Sequence, residues 1–203
     1  MANGKVTTGF SYPFVAKYSA NGGTITYSNG QALARGVDVT LSPESSGDNI
    51  FYADNRQAES SGAKITGYTL SLTVDGLKEA AERLITGLPA ASNGWTDVGG
   101  DSQAVPYVAV GWLTRYMEDG VVSFVPTVCS KCRFNAIEKA AATQEEDIDW
   151  QTQSLEAVGF KSDSAEHEFY SIGQEFAVST TYVDEEAAEA AALAALKAKL
   201  GIS

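Results

Sequence analysis

A chain of 203 residues with 26 acidic and 14 basic side chains carries a formal net charge of −12, and its Lys and Arg residues are scattered along the chain. Gripping nucleic acid by its phosphates takes clustered Lys and Arg, so this balance excludes that class and argues for a surface that DNA and anionic membranes repel. With 44% hydrophobic and 20% charged residues the chain is globular, and its length suits a single domain over 1–203 with its own core.

The first residues, MANGKVTTGFSYPF, hold one Lys and no apolar region, so they do not read as a secretory leader. The longest apolar stretch, 104–113, is too short to span a bilayer and contains Pro106 and Gly111. A protein of the cytosol with no membrane partner is expected.

Strand patterns dominate from the start. Residues 10–18 and 24–27 read as two strands flanking the turn signal Asn21-Gly22-Gly23. Val37, Val39 and Leu41 alternate with Asp38 and Thr40, which predicts a strand with one dry face. The polar stretch 42–63 then combines Glu44, Asp48, Asp54 and Glu59 with the single base Arg56, and carries Phe51 and Tyr52 in its middle. That mixture fits neither core nor linker. One reading is a surface hairpin whose aromatics tuck back onto the sheet. The other is a protruding hairpin that docks on a neighbouring subunit, since interfaces anchor on aromatic and Arg residues inside a polar rim.

Tyr68, Leu70, Leu72 and Val74 alternate with Thr69, Ser71 and Thr73, a second strand with a dry face. Leu77, Ala81, Leu84, Ile85 and Leu88 fall at helical spacing and predict a helix over 75–88, with Asp75 as its N-cap. A polar stretch at 90–103 leads to two strand-like runs, VPYVAVGWLTRY and VVSFVPTVCSKCRF, joined by a turn at 118–120. Pro126 suggests an edge position or a bulge in the second run. A third polar stretch, 139–147, contains Glu145-Glu146-Asp147, and the strand pattern IDWQTQSLEAVGF follows it. After a long connection at 161–174, Asp184 caps a helix over 184–200, with Glu185 and Glu186 in the first turn, Lys197 and Lys199 in the last and Gly201 as a stop. Its apolar seam is narrow: Leu193, Leu196 and Leu200 among alanines. The expected fold is mainly β, an antiparallel β-sandwich with one embedded flanking helix and a C-terminal helix.

Little in the sequence suggests catalysis. Cys129 and Cys132 form a C-x-x-C pair, but a structural zinc site takes four ligands and His167 is the only histidine. On an unbroken strand two side chains three positions apart point to opposite faces, so the thiols should diverge as unconnected structural cysteines. His167 lies between Glu166 and Glu168, a polar loop or strand-edge setting. No G-x-S-x-G, phosphate-binding or dinucleotide-binding pattern occurs. The expectation is a protein with no enzymatic activity, no metal and no cofactor.

The order of these elements carries a resemblance. The loop with Phe51-Tyr52-Ala53-Asp54-Asn55, the β-hairpin, the acidic connection, the W-Q-T-Q-S-L-E strand and the Ala-rich final helix resemble the major tail protein family of long-tailed phages. The resemblance implies a tail-tube subunit that forms hexameric rings, with inner sheets joined edge to edge and the rings stacked into a conduit for DNA ejection into the host. It implies tape-measure, tail-tip and tail-terminator partners, assembly in the host cytoplasm and a place in the virion tail, with DNA passing through unbound. On this reading Glu44, Asp48, Phe51, Tyr52, Asp54 and Arg56 belong to a subunit interface. Asp38, Thr40, Thr69, Ser71 and Thr73 would face the lumen, although an outer wet face would have the same pattern. The alternative is a β-sandwich binding or decoration module of a virion surface, which should concentrate its aromatics in one platform; here the tyrosines are spread over many strands. A third reading is a redox or zinc enzyme built on Cys129 and Cys132.

Overall fold

The computed structural model describes residues 4–48, 50–101, 103–139 and 151–202. The fold is mainly β: an antiparallel β-sandwich with one helix embedded between strands and a second at the C-terminus. The period-2 runs become long strands joined by tight turns. β1 (Val6–Asn21) turns into β2 (Thr24–Ala32) at Gly22 and Gly23, and β7 (Val108–Glu118) turns into β8 (Val121–Phe134) at Asp119 and Gly120. Both central residues of each turn have positive φ, from 48° to 84°, the geometry that matches the twist of paired strands.

The main sheet runs β2-β1-β7-β8-β9-β6-β3, with β3 at Gly36–Ser45, β6 at Ile65–Val74 and β9 at Gln153–Gly159. Its two halves join where β8 meets β9, at Cys132 opposite Gly159, Arg133 opposite Val158 and Phe134 opposite Ala157. They then face each other across one core. Val15, Val108, Val110 and Trp112 enter it from one half, and Tyr68, Leu70, Leu72, Val74 and Leu155 from the other. Gly36 is needed at this closure, because a Cβ there would lie 2.0 Å from the Phe10 ring. Val37 departs from its expected place on the dry face: a bulge between Gly36 and Asp38 leaves it 56% exposed, while Val39 and Leu41 pack inward.

Helix α1 is shorter than its periodicity predicts, Glu79–Thr86 in place of 75–88. Asp75 does not cap it. Its carboxylate instead takes the Arg35 backbone N–H at 3.0 Å and the Arg35 guanidinium, while Gly76 (φ 146°) and an extended Lys78 keep the intervening chain out of the helix. Gly87, at φ 68°, ends it with its N–H on the Arg83 carbonyl at 2.9 Å. Ala81 and Ile85 are its buried contribution to the sandwich core.

Helix α2 (Glu185–Lys199) begins as the sequence predicts, with Asp184 Oδ1 accepting the Ala187 N–H at 2.8 Å. Its seam differs. Ala188, Ala192, Leu196 and Leu200 are buried while Leu193 is half-buried, so alanines make much of the contact. They lie over Phe14, Ala109, Leu113, Phe124 and Val128 on the outer face of β1, β7 and β8. Pro126 is not on an edge strand. β8 is flanked on its second side by β10 (Tyr170–Ile172) and β11 (Phe176–Ala177), and Pro126 falls in the gap between them, where its carbonyl accepts the Gly173 N–H at 2.7 Å. A residue's N–H and C=O point to the same side of a strand, so the missing donor falls in the gap too.

Candidate assembly surfaces

The polar stretch 42–63 divides into two structures. β3 continues to Ser45, and β4 (Ile50–Ala53) with β5 (Arg56–Ser60) forms a separate two-stranded sheet. Asp54 and Asn55, at φ 50° and 61°, make its turn. At its base the Ser46 N–H donates to the Lys64 carbonyl at 2.8 Å, and the Lys64 N–H to Ser46 Oγ at 3.1 Å. Phe51 and Tyr52 are each 64% exposed, so the aromatics do not tuck back onto the sheet. Asp48, Phe51, Tyr52, Asp54 and Arg56 therefore share one projecting arm. Glu44 does not join them. It lies on β3, where its carboxylate accepts the Thr69 hydroxyl at 3.3 Å.

Pairing register brings the second candidate set together. Asp38 lies opposite Thr73, Thr40 opposite Ser71 and Ser42 opposite Thr69, and these rows continue into Ser154, Glu156 and Val158 of β9. The side chains opposite in phase, Leu70, Leu72 and Leu155, fill the core, so Asp38, Thr40, Thr69, Ser71 and Thr73 occupy the wet face of β3-β6-β9. Asp38, Glu44 and Glu156 make that face acidic. Its border cation, Arg133, lies over the Tyr107 ring at 4.2 Å. Sequence reasoning missed Ser154 and Glu156, although the S-L-E-A-V-G alternation marks them as outward partners of buried Leu155 and Ala157.

Sheet edges are the third surface. Among the described residues no strand pairs with the outer side of β2 or of β3, and both present backbone donors and acceptors for further pairing.

The cysteines contradict the expected divergence. β8 does run on through Cys132, but Val108 and Val110 of β7 oppose Cys132 and Cys129, two positions against three. A bulge at Ser130 and Lys131 absorbs the extra residue and reverses the alternation. Both thiols consequently enter the sandwich core, fully buried, free and beside Tyr68. Burial pushes the Cys129 thiol up to about 12 and Cys132 well above its ordinary value. No signal in C-S-K-C fixes this bulge, which follows from the register against β7.

His167 sits in a loop with φ 51°, its Nδ1 3.2 Å from the Ser162 carbonyl; the Ser162 and Ser164 hydroxyls bond each other, and Ser164 reaches Glu168. Its Nδ1 thus meets a backbone carbonyl and not a hydroxyl. Among the described residues no three His, Cys, Asp or Glu side chains gather as metal ligands, and no helix is long and apolar enough to cross a membrane. The acids Glu145, Glu146 and Asp147 lie outside the described residues. No protein-family model matches the chain, and no curated protein matches it significantly.

Proposed function

We propose that the chain is the structural subunit of a phage tail tube, closing into hexameric rings that stack into the conduit through which DNA passes to the host. The observation that carries this reading is the combination of an acidic, hydroxyl-rich sheet face over β3-β6-β9 with a strand edge at β3 that is unpaired among the described residues. An exposed edge is a liability unless it is paired, covered or closed into a ring. Head-to-tail contacts that close give rings, and repetition of a different face gives stacking. The projecting β4-β5 arm supplies such a second contact.

The wet face suits a conduit. Duplex DNA carries about one negative charge per 1.7 Å, so a lumen bearing Asp38, Glu44 and Glu156 repels it. At physiological salt that repulsion is screened within about 8 Å. The subunit has no catalysis to perform; its partners are copies of itself, with tape-measure, tail-tip and tail-terminator proteins inside and at the ends.

Negative-stain microscopy of concentrated protein, with and without its tail-tip initiator, tests the reading. Rings or tubules are expected. A small, closed oligomer that never stacks and binds glycans would replace the tube with a surface decoration module.

A further inference from the structure

The projecting arm needs a receptor, and the same molecule carries one that fits. Between α2 and the β10–β11 connection lies an open groove of about 310 Å³. Pro126, Val128, Phe176 and Leu196 form its apolar walls, and Ile172, 66% exposed, forms one lip. Among the described residues its one charged lining side chain is Lys199, and no carboxylate lines it. Roughly 150 Å³ suffices to enclose a benzene ring, so the groove takes one aromatic side chain with the backbone that carries it.

The arm has the complementary chemistry. Phe51 projects into solvent at 64% exposure, and the same arm carries Asp48, Asp54 and Glu59 against a single base, Arg56. In its own chain Phe51 remains outside the groove. The other depressions match less well. The one beside α1 carries Asp75, Glu82 and Glu138 against Lys139, which is already paired with Glu82, and the one at the β3 edge contains Asp38, so both are net acidic toward an acidic arm.

We propose that the β4-β5 arm of one copy docks in the α2 groove of the next, with the Phe51 ring seated on Pro126, Val128 and Leu196 and the arm's carboxylates near Lys199. The inference rests on the tube reading and names the receptor surface that reading requires. Arm and groove are different patches, so the contact is head-to-tail and propagates. The apolar ring supplies the anchor, and the acid–Lys199 attraction orients the arm as it approaches.

Thiol pairing tests this in assembled protein. Ala53→Cys and Ile172→Cys both alter exposed positions and leave the Phe51 ring in place, so fold and anchor are retained, and the native thiols are buried and protonated. A short bis-maleimide added to the assembled double variant should give a ladder of covalent dimers, trimers and higher species on a denaturing gel. Either single variant alone should stay monomeric on the gel. Tubes that form normally in the double variant without any ladder overturn the groove assignment and leave the tube reading standing. Covalent dimers from Ala53→Cys alone mean that arm meets arm, and also overturn it. Concentrated protein that yields neither tubes nor ladder removes the tube reading and the docking contact together.

Discussion

At the scale of single residues, burial and ion pairing divide the titratable groups into two sets that act at opposite ends of the pH range. The carboxyls of Asp163, Glu185 and Glu175 are held below their ordinary values by Lys131, Arg115 and Lys5, at contacts of 2.7 Å each. A depressed carboxyl stabilises the fold above its unfolded value near 4, and that contribution disappears as pH falls through the folded value. The pairs lie at the surface, so the acid effect should be shallow. The thiols act in the opposite direction. Cys129 titrates near 9 when unfolded and near 12 when folded, so its contribution is complete below pH 9 and is lost as pH rises toward 12. Within that window each buried thiol should weaken the fold by about 1.4 kcal/mol per pH unit. Urea midpoints at pH 8 and pH 10.5 check this, and equal midpoints would contradict the burial of both thiols. A thiol reagent at pH 8 should likewise find no reactive cysteine in the native protein and two after unfolding. These residues show where sequence reading stopped: the C-x-x-C spacing was visible, but the faces of its thiols depended on a bulge that only pairing with β7 reveals.

At the scale of elements, strongly periodic runs were legible and their boundaries were not. Tyr68, Leu70, Leu72 and Val74 are buried as their alternation predicts, because a one-residue slip would have exposed all of them. The extent of α1 was misjudged because Asp75, a good cap by type, is drawn away by Arg35, which is distant in sequence and adjacent in space. Asp184 has no such competitor. Asp184→Ala should therefore remove about 1 kcal/mol and lower Tm by about 2–4 °C, measured by circular dichroism. A drop of ten degrees or more would mean that α2 starts by some other contact. The β4-β5 arm gives a sharper contrast. Phe51→Ser combined with Tyr52→Ser removes two rings that are mostly in solvent, so Tm should change by no more than a degree or two while polymerisation fails. Were the rings packed on the sheet, the same change would cost about 3 kcal/mol or more per ring.

At the scale of the whole molecule, the alternation announced a sandwich, while the partners of each wet face stayed hidden until register was known. Asp38 and Thr73 lie far apart in sequence and become neighbours only through the β3–β6 pairing. The resulting face has carboxylates and hydroxyls where a DNA-gripping surface would have Lys and Arg. The intact protein should accordingly show no duplex binding at physiological salt by gel shift or fluorescence anisotropy. A micromolar complex that weakens steeply with added salt would reveal a basic groove and overturn the conduit argument.

The bulge in β8 has a consequence for how the chain can vary. Before it, Phe124 and Val128 point toward α2; after it, Cys132 and Phe134 point into the sandwich, with Arg133 outside. One strand thus serves two cores, and the bulge between Cys129 and Cys132 keeps both thiols on the sandwich side. Deleting Ser130 would set two positions of β8 against two of β7, so the ladder would run regularly while Cys132 and Phe134 kept facing the sandwich and Arg133 stayed outside. At the bulge the chain can lose a residue and keep the faces of those that follow, whereas a deletion within the regular part of β8 would turn over every residue downstream of it.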